Sequence, residues 1–478
     1  GFDLQRATNL EIKTAQEVTL NPQLAIGAAS ASVDVTETAP GVQLAKSSAT
    51  IERTFQNKVF ADIPFLNPAT GFRDLTQIAL LAPTAARATG STGTSINGQR
   101  ARNNNFMIDG VDNNDPMVTI ASIRVIPEAV AEFQVQSSPY SAEFGRSSGG
   151  QISLVTKSGT NEFHGEVFDF YRANFLDAMN LLNKRAGLRE NPRFVNHQAG
   201  ASFGGPAIRN RTFFFGLLEA NRFRQAPDAR NATATVIPTA AGFQALRNVP
   251  LGPDQTAESR QAMLSALGFL DQIYAGNPGF TGLRTTSVNG VAIPVGTIQI
   301  PIATNANLWY AVGRVDHALT SRDSLNYRYL IDDRNQPFTT SNLRFGPLFA
   351  GDSIIRRQNH MLSHTRSQSA RLVNEFRFSY SDNVLTGTDP NPKMPTVSIT
   401  GAFLFGGATS FPQGRKQSQY QFQDTLTYTV GRHSLRLGGN VSLVKLFNDA
   451  AFDSKGTWTF DSLQEYMNNR AATLRIAL

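Results

Sequence analysis

Apolar and polar residues alternate with a period of two along several segments in the second half of the chain. In residues 419–430 every odd position is glutamine or threonine, and the even positions are aromatic or aliphatic except for Asp424. Residues 324–333, 371–380 and 434–443 alternate in the same way. Because successive side chains of a strand point to opposite faces, each segment predicts a β-strand with one apolar and one polar face.

This alternation and the turn residues between segments predict nine long strands and a mainly β fold. The predicted strands are Phe163–Arg172, Phe194–Gly204, Arg211–Arg222, Asn307–Asp316, Ser324–Asp333, Ile354–Thr365, Ala370–Asp382, Gln419–Val430 and Ser434–Phe447.

The connections between these strands are alternately short and long. Asp316 and Ser324 are close in sequence, whereas Arg222 and Leu308 are separated by a long segment, and a short and a long connection follow in turn. Transmembrane β-barrels sort their connections in this way, with short turns at one end and long loops at the other. A soluble sandwich would also explain the alternation within strands, but the loop lengths favour a barrel. Asp424 remains unexplained, because a charge that faces lipid is unfavourable.

Composition narrows the possible functions. The chain has no cysteine, which excludes a disulfide, a thiolate nucleophile and a cysteine-ligated metal. Its six histidines are scattered, so we expect neither a metal site nor a cofactor. The net charge is +7, but no dense basic run indicates a nucleic-acid partner. Gly1–Leu4 has neither the charged start nor the apolar run of a signal peptide, and we therefore expect the true N-terminus to lie upstream.

The pattern divides the chain into three parts. Residues 1–40 contain short strand-like segments and predict the end of a small β-domain, because so few residues rarely fold alone. Residues 41–161 are mixed, with a helix-like segment at Phe72–Leu81 followed by short strands, and predict an α+β domain. Residues 162–478 contain the nine long strands.

Three motifs in the middle part resemble the plug domain of TonB-dependent outer-membrane transporters. They are Ile96–Arg100, Met107–Asp112 and Ser141–Gly159, and the last contains the sequence AEFGRSSGGQISLVTK. The first motif departs from the family pattern, since Arg100 follows the glycine instead of preceding it. Residues 1–40 resemble the end of a carboxypeptidase-regulatory-like β-domain, which together with the plug is similar to the Oar-like branch of the family.

The resemblance implies a plug (41–161) inside an antiparallel barrel of about 22 strands. Nine strands cannot close such a barrel with both ends on one side. We therefore expect an incomplete barrel, seen as an open, curved sheet, in a sequence that is truncated at both ends. The resemblance also implies the bacterial outer membrane as the location, with outer-membrane lipid, TonB and an unidentified substrate as partners.

Two groups of residues are candidates for function. Val33, Asp34, Val35 and Thr36 resemble the extended segment that adds to a TonB sheet, although they equally suit the last strand of the preceding β-domain. Polar plug loops are candidates for substrate contact, although solvated turns are an equal interpretation. The residues of these loops are Arg87, Arg100, Arg102, Asn103, Asn104, Asp112, Asn113 and Asn114.

The favoured function is uptake of a scarce solute without covalent chemistry. A surface-binding protein or adhesin that uses the long segment 223–306 is the main alternative. A third and weaker alternative is a serine hydrolase, since Gly145–Gly149 matches the G-x-S-x-G motif around Ser147. That motif requires a helix after the serine, whereas Gln151–Lys157 has the pattern of a strand.

Overall fold

A computed structural model describes residues 51–56, 73, 75–88, 93–138, 142–179, 181, 184, 189–191, 193–226, 234–276, 279–300, 303–341, 345, 348–450 and 452–477. The predicted β-domain of residues 1–40 and the Val33–Thr36 segment lie outside the described residues. The chain forms two compact units, each drawn from separate segments. The first comprises Gly1–Ile63, Leu75–Ala121 and Ala131–Val155, and the second Pro64–Asp74, Ser122–Val130 and Thr156–Leu478.

The first unit is built around a five-stranded sheet. Its strands are β1 (Ile51–Gln56), β4 (Asn105–Ile108), β5 (Val111–Asp112), β6 (Val130–Ser138) and β7 (Gln151–Thr156), in the order β1-β6-β7-β4-β5. Strands β2 (Ala85–Arg87) and β3 (Thr94–Ile96) form a separate hairpin, and Leu75–Leu81 and Ala101–Asn103 are 3-10 helices. The helix expected at Phe72–Leu81 is thus a shorter 3-10 helix. The core of the first unit includes the fully buried residues Ile78, Ile96, Phe133 and Ile152.

The second unit contains a nine-stranded antiparallel sheet, which confirms the predicted number of long strands. The strands are β8 (His164–Ala173), β9 (Phe194–Ile208), β10 (Thr212–Gln225), β14 (Thr304–Ala318), β15 (Asp323–Ser341), β16 (Ala350–Ser369), β17 (Leu372–Gly387), β20 (Gln413–Val430) and β21 (His433–Ala450). Neighbours in this series pair in sequence order. Among the described residues β8 and β21 pair with one neighbour each, so the sheet is open, as expected.

Turn and loop lengths alternate as the sequence predicts. Residues 209–211, 319–322, 370–371 and 431–432 form short turns at one end of the sheet, and long connections join the strands at the other end.

The two faces of the large sheet are inverted relative to a soluble sandwich, because its polar face is buried and its apolar face is exposed. Polar residues buried on one face include Gln198, Glu219, Arg328, Asp332, Asn359, Ser379 and Gln421. Large apolar residues exposed on the opposite face include Val167, Leu218, Trp309, Tyr327, Leu362, Phe422 and Val441. Asp424 lies on this apolar face and accepts a hydrogen bond of 2.9 Å from Nδ2 of Asn374 on the next strand, which gives its carboxylate a polar partner.

An aromatic row crosses four strands of the exposed face. Tyr329, His360, Tyr380 and Tyr420 occupy one register, with ring centroids of successive neighbours 4.7, 6.1 and 4.9 Å apart. Beyond the row, on the side of the long loops, the face also carries charged residues, such as Asp333 paired with Arg356 at 2.7 Å. Aromatic residues lie in this way at the edges of the apolar band of transmembrane barrels.

The long connections and the segment after β21 fold together into what we call the loop domain. It contains the sheet β11 (Thr235–Pro238), β12 (Thr281–Val288) and β13 (Val291–Ile298), and the sheet β18 (Thr396–Ile399), β19 (Leu404–Gly406), β22 (Thr457–Phe460) and β23 (Thr473–Arg475). Its helices are α1 (Ala240–Arg247), α2 (Ala257–Ala266), α3 (Phe269–Ala275) and α4 (Leu463–Met467). Helices α1, α2 and α4 begin at Thr239, Thr256 and Ser462, whose hydroxyls accept backbone N–H groups of the first turn.

A single apolar core holds the loop domain together. The core draws buried residues from three connections between the long strands and from the segment after β21. They include Ile237, Phe243, Leu270, Ile293, Phe345, Phe349, Ile399, Phe405, Phe460 and Tyr466. No local pattern in these segments predicts a shared core. None of the described helices combines the length and the apolar character needed to cross a lipid bilayer.

Candidate functional site

A polar pocket of about 260 Å³ in the first unit is the best candidate for a binding site. Its lining residues are Arg102, Asn103, Asn104, Asn114, Thr119, Arg146, Ser147 and Ser148. The structure thus brings together four of the plug-loop candidates, whereas Arg87, Arg100, Asp112 and Asn113 do not line the pocket. Sequence reasoning missed Thr119 and the Arg146–Ser148 segment as binding residues, although it singled out the Ser141–Gly159 motif that contains that segment.

The pocket lies at one end of the strands of the five-stranded sheet because two of these strands are parallel. Strands β4 and β7 pair in parallel, with Asn105 opposite Gln151, so the segments that precede them meet at the same end of the sheet. The 3-10 helix Ala101–Asn103 precedes β4, and residues 146–150 precede β7. Backbone bonds fix the junction: Gly149 N donates to the Asn103 carbonyl (2.9 Å), and Asn105 N donates to the Gly150 carbonyl (2.9 Å).

Gly149 permits this close approach of the two segments. A Cβ atom at position 149 would lie 2.4 Å from Oδ1 of Asn104 and 2.8 Å from the Asn103 carbonyl oxygen. Any larger residue would therefore push the 3-10 helix away from the start of β7. The glycine pair of the motif consequently has a structural role, which is to bring Asn103 and Asn104 against residues 146–148.

The asparagine clusters differ in what their side chains do. Asn104 is buried, and its Nδ2 donates to the Thr94 carbonyl (2.7 Å) while its Oδ1 accepts from Gly150 N (3.0 Å). Asn114 is also buried, with Nδ2 donating to Oδ1 of Asn105 (2.7 Å) and Oδ1 accepting from Phe106 N (3.1 Å). These amides mainly hold the walls of the pocket in place, which leaves the more exposed Arg102, Arg146 and Ser148 to meet a ligand.

Two arginines give the pocket a positive character. Nη1 of Arg146 donates to Oδ2 of Asp112 at 2.8 Å, and the Arg146 side chain remains about half exposed. Oδ1 of Asp112 accepts from Asn114 N at 2.8 Å, so this carboxylate connects the two walls. Arg102 is exposed at the end of its 3-10 helix.

A second cluster, in the second unit, is a buried ionic network that the sequence did not predict. Arg73 binds Glu128 in a parallel, two-bond geometry, its Nη2 lies 3.7 Å from Oε2 of Glu219, and its Nε donates to Oε1 of Gln198 (3.0 Å). Nη2 of Arg124 lies 3.9 Å from Oδ1 of Asp332, which is on strand β15 of the nine-stranded sheet. Arg73 and the segment 122–130 are thereby tied to the polar face of the large sheet.

The G-x-S-x-G motif around Ser147 does not form a nucleophile elbow. Residues Gly145–Gly149 lead into strand β7, whereas a nucleophile elbow leads into a helix. Ser147 itself has a positive φ of 81°, in a turn before the strand. Among the described residues no three histidine, aspartate or glutamate side chains are grouped as a metal site would require.

Comparison with known proteins gives consistent results. The sequence profile of the outer membrane beta barrel domain family matches residues 155–476. The TonB-dependent transporter Oar of Myxococcus xanthus is 34% identical over 151 residues, which cover 30% of this chain and 14% of that protein.

Two solved structures share the fold at low sequence identity. The outer membrane transporter YddB from Escherichia coli is 12% identical, with a TM-score of 0.53 over 86% of this chain and 50% of that chain. The siderophore receptor PirA from Acinetobacter baumannii is also 12% identical, with a TM-score of 0.51 over 84% of this chain and 49% of that chain. The chain thus spans about half the length of these structures.

The nine-stranded sheet with an exposed apolar face, the matched family profile and the similarity to Oar all lead to one assignment. The chain belongs to the outer membrane beta barrel domain family of the bacterial outer membrane, and part of it is similar to the TonB-dependent transporter Oar.

Proposed function

We propose that the protein imports a scarce solute across the outer membrane through a plugged β-barrel. The observation that carries this proposal is the inverted large sheet, whose apolar face is exposed while its polar face is buried. A sheet of this kind suits a lipid environment outside and a polar interior. The ionic network of Arg73 and Glu128 supports the proposal, because it fastens both residues to that interior face by polar contacts with Gln198 and Glu219.

Substrate capture would use the polar loops of the plug. The pocket lined by Arg102, Asn103 and Asn104 offers side chains with hydrogen-bond donors at the edge of a rigid sheet, which is how rigid scaffolds commonly present binding residues. We include Arg100, Asp112 and Asn113 in this proposal as residues of the same loops. No covalent step is needed, since transport requires only binding and release.

Energy coupling would proceed through TonB, which would bind the extended Val33–Thr36 segment. A β-branched strand can add to the edge of a partner sheet, and main-chain hydrogen bonds then supply most of the affinity. This mode of binding predicts that Val35→Thr is mild and that Val35→Pro is severe, because proline removes a backbone donor and fixes φ.

The test measures solute binding and energy-dependent uptake in cells that express the full-length protein. Radiolabelled iron chelates, glycans and peptides are offered with and without a protonophore, and the bound and the internalised label are counted separately. With Val35→Pro we expect binding to persist and uptake to fail, while Val35→Thr serves as the matched control. Uptake that persists with Val35→Pro would place the TonB contact elsewhere. Loss of binding as well would mean that Val35 belongs to a folded domain.

A surface-binding or adhesive role remains the second candidate, and the loop domain favours it. Three connections and the segment after β21 share one apolar core and so present a preformed surface, which a binding protein could use without any transport. The same experiment separates the two functions. An adhesin would retain its label at the cell surface whether or not the protonophore is present, whereas a transporter would lose only the internalised fraction.

A further inference from the structure

The pocket of the first unit carries more positive than negative charge on its walls. Arg102 and Arg146 both line it, and the remaining lining side chains are neutral amides and hydroxyls. Asp112, which does not line the pocket, forms an ion pair with Arg146. The pocket therefore offers one guanidinium group in excess.

Arg102 is the guanidinium that is free to meet a ligand. Its side chain is exposed, and within the described part of the chain no carboxylate forms an ion pair with it. The backbone beneath it is held firmly, since Asn103 N donates to the Arg100 carbonyl at 2.8 Å and Asn104 is buried. Because the backbone is already fixed, binding does not have to order it, and only the side chain of Arg102 loses conformational entropy.

Asp112 orients the Arg146 side chain but occupies only part of the hydrogen-bonding capacity of its guanidinium group. Its Nη1 donates to Asp112 at 2.8 Å, and its carbonyl accepts from Nε2 of Gln151 at 3.0 Å. A guanidinium group has five N–H donors in a planar fork that matches the two oxygens of a carboxylate. Ser148, whose hydroxyl donates to Oε1 of Gln99 at 3.2 Å, places a further polar group at the same wall.

We propose that this pocket binds a carboxylate group of the imported solute between Arg102 and Arg146. The proposal rests on the transport function above and narrows the solute class to organic acids or molecules that carry a carboxylate. Charge-assisted hydrogen bonds from two arginines supply the recognition. Asp112 sets the strength of the site, because it neutralises part of the charge of Arg146.

Residues 1–478 contain no cysteine, so an introduced thiol reports on the pocket once any cysteine elsewhere in the full-length protein is replaced by serine. Ser148→Cys introduces one exposed thiol at the pocket wall of the full-length protein in detergent, and its alkylation rate with an uncharged maleimide is followed at constant ionic strength. Citrate is the probe and glucose the neutral control. Ala86→Cys, which is exposed on β2 and does not line the pocket, is the control position.

We expect citrate to slow alkylation of the Ser148→Cys thiol and glucose to have no effect. Arg102→Gln should raise the half-protecting citrate concentration by about tenfold, since a charge-assisted hydrogen bond contributes on the order of one power of ten. Asp112→Asn should lower it roughly threefold, because a partly exposed ion pair is weak. Arg209→Gln removes the same charge at an exposed turn that does not line the pocket, and it should change nothing.

Several results would overturn the proposal. They are no protection by citrate, equal protection by glucose, and protection that Arg102→Gln leaves unchanged. Energy-dependent uptake of a solute without citrate protection would overturn this inference and leave transport standing. Citrate protection in a protein that imports nothing would instead overturn the transport function on which the inference rests.

Discussion

Arg73 and Glu128 form a parallel two-bond ion pair, with Nη1 and Oε1 2.7 Å apart and Nη2 and Oε2 2.5 Å apart. Both side chains are about nine-tenths buried, and the guanidinium lies 3.7 Å from the centre of the Phe170 ring. Gln198 and Glu219 complete the surroundings of the arginine. The pair therefore joins two short segments of the chain to the polar face of the large sheet.

Removal of Arg73 should destabilise the protein strongly. Arg73→Met leaves Glu128 and Glu219 buried without their shared cation, and the loss of one partner from a buried pair costs about 3–5 kcal/mol. Arg73→Met combined with Glu128→Leu should recover part of that loss. The free energy of unfolding by urea in lipid vesicles measures both, with Arg209→Met as the exposed control. Equal losses in the single and double variants would show that the pair is not coupled.

Gly149→Ala should displace the wall of the pocket. Its Cβ would meet Oδ1 of Asn104 at 2.4 Å and a backbone carbonyl at 2.8 Å, and such overpacking costs about 1–3 kcal/mol. Gly145→Ala is the matched control, because no atom lies within 4 Å of its Cβ position. Hydrogen exchange of residues 101–105 should accelerate only in the first variant. Unchanged exchange there would mean that the two segments do not pack as closely as described.

Glu52 should make strand β1 less stable as the pH rises. Burial raises the pKa of Glu52 above its ordinary value of 4.5, although a hydrogen bond from Gln136 lowers it in part. The folded state therefore favours the protonated acid, and stability falls as the pH climbs from about 4.5 to the raised pKa. Glu52→Gln should flatten this dependence, as measured by hydrogen exchange of residues 51–56 between pH 4.5 and 8. Glu162→Gln alters an exposed carboxylate and is the control. The prediction would be contradicted if exchange in the unaltered protein depended on pH as little as it does in the Glu52→Gln variant.

Arg260 should hold the loop domain together. Its guanidinium donates to the carbonyls of Val249 (2.8 Å), Pro250 (3.0 Å) and Met467 (3.1 Å). Arg260 therefore joins the connection between β10 and β14 to the segment after β21, which is distant in sequence. Arg260→Met removes all three bonds. The Pro250 and Met467 carbonyls still accept from Asn289 and Gln255, whereas the Val249 carbonyl loses its side-chain donor, at a cost of about 1–3 kcal/mol if it stays buried.

Limited proteolysis provides the measurement for Arg260. Arg260→Met should speed cleavage in the loop domain and leave the nine long strands intact, because the substitution affects only the loop domain. The control is Arg247→Met, whose exposed pair with Asp271 at 3.6 Å contributes little. Similar cleavage rates for both variants would show that Arg260 does not connect the two segments.

The sequence alone determined the nine long strands and the faces they present. Alternation is a local property, because each residue of a strand points opposite to its neighbour whatever the strand pairs with. Leu325 and Tyr327 could therefore be separated from Arg328 and Asp332 before any partner was known, and the structure exposes Tyr327 and buries Arg328 and Asp332. The short turns at 319–322 and 431–432 were equally visible, since they lie between adjacent strands.

Tertiary structure decided everything that depends on segments distant in sequence. Arg146 meets the wall that contains Arg102 only because β4 and β7 pair in parallel, and no local pattern specifies that pairing. Asp424 violated the alternation until Asn374 of the neighbouring strand proved to be its partner. The core of the loop domain joins Phe243, Phe405 and Tyr466 from three separate segments that show no periodicity. These residues are buried because the segments pack against each other, and the order of residues within any one segment does not encode that packing.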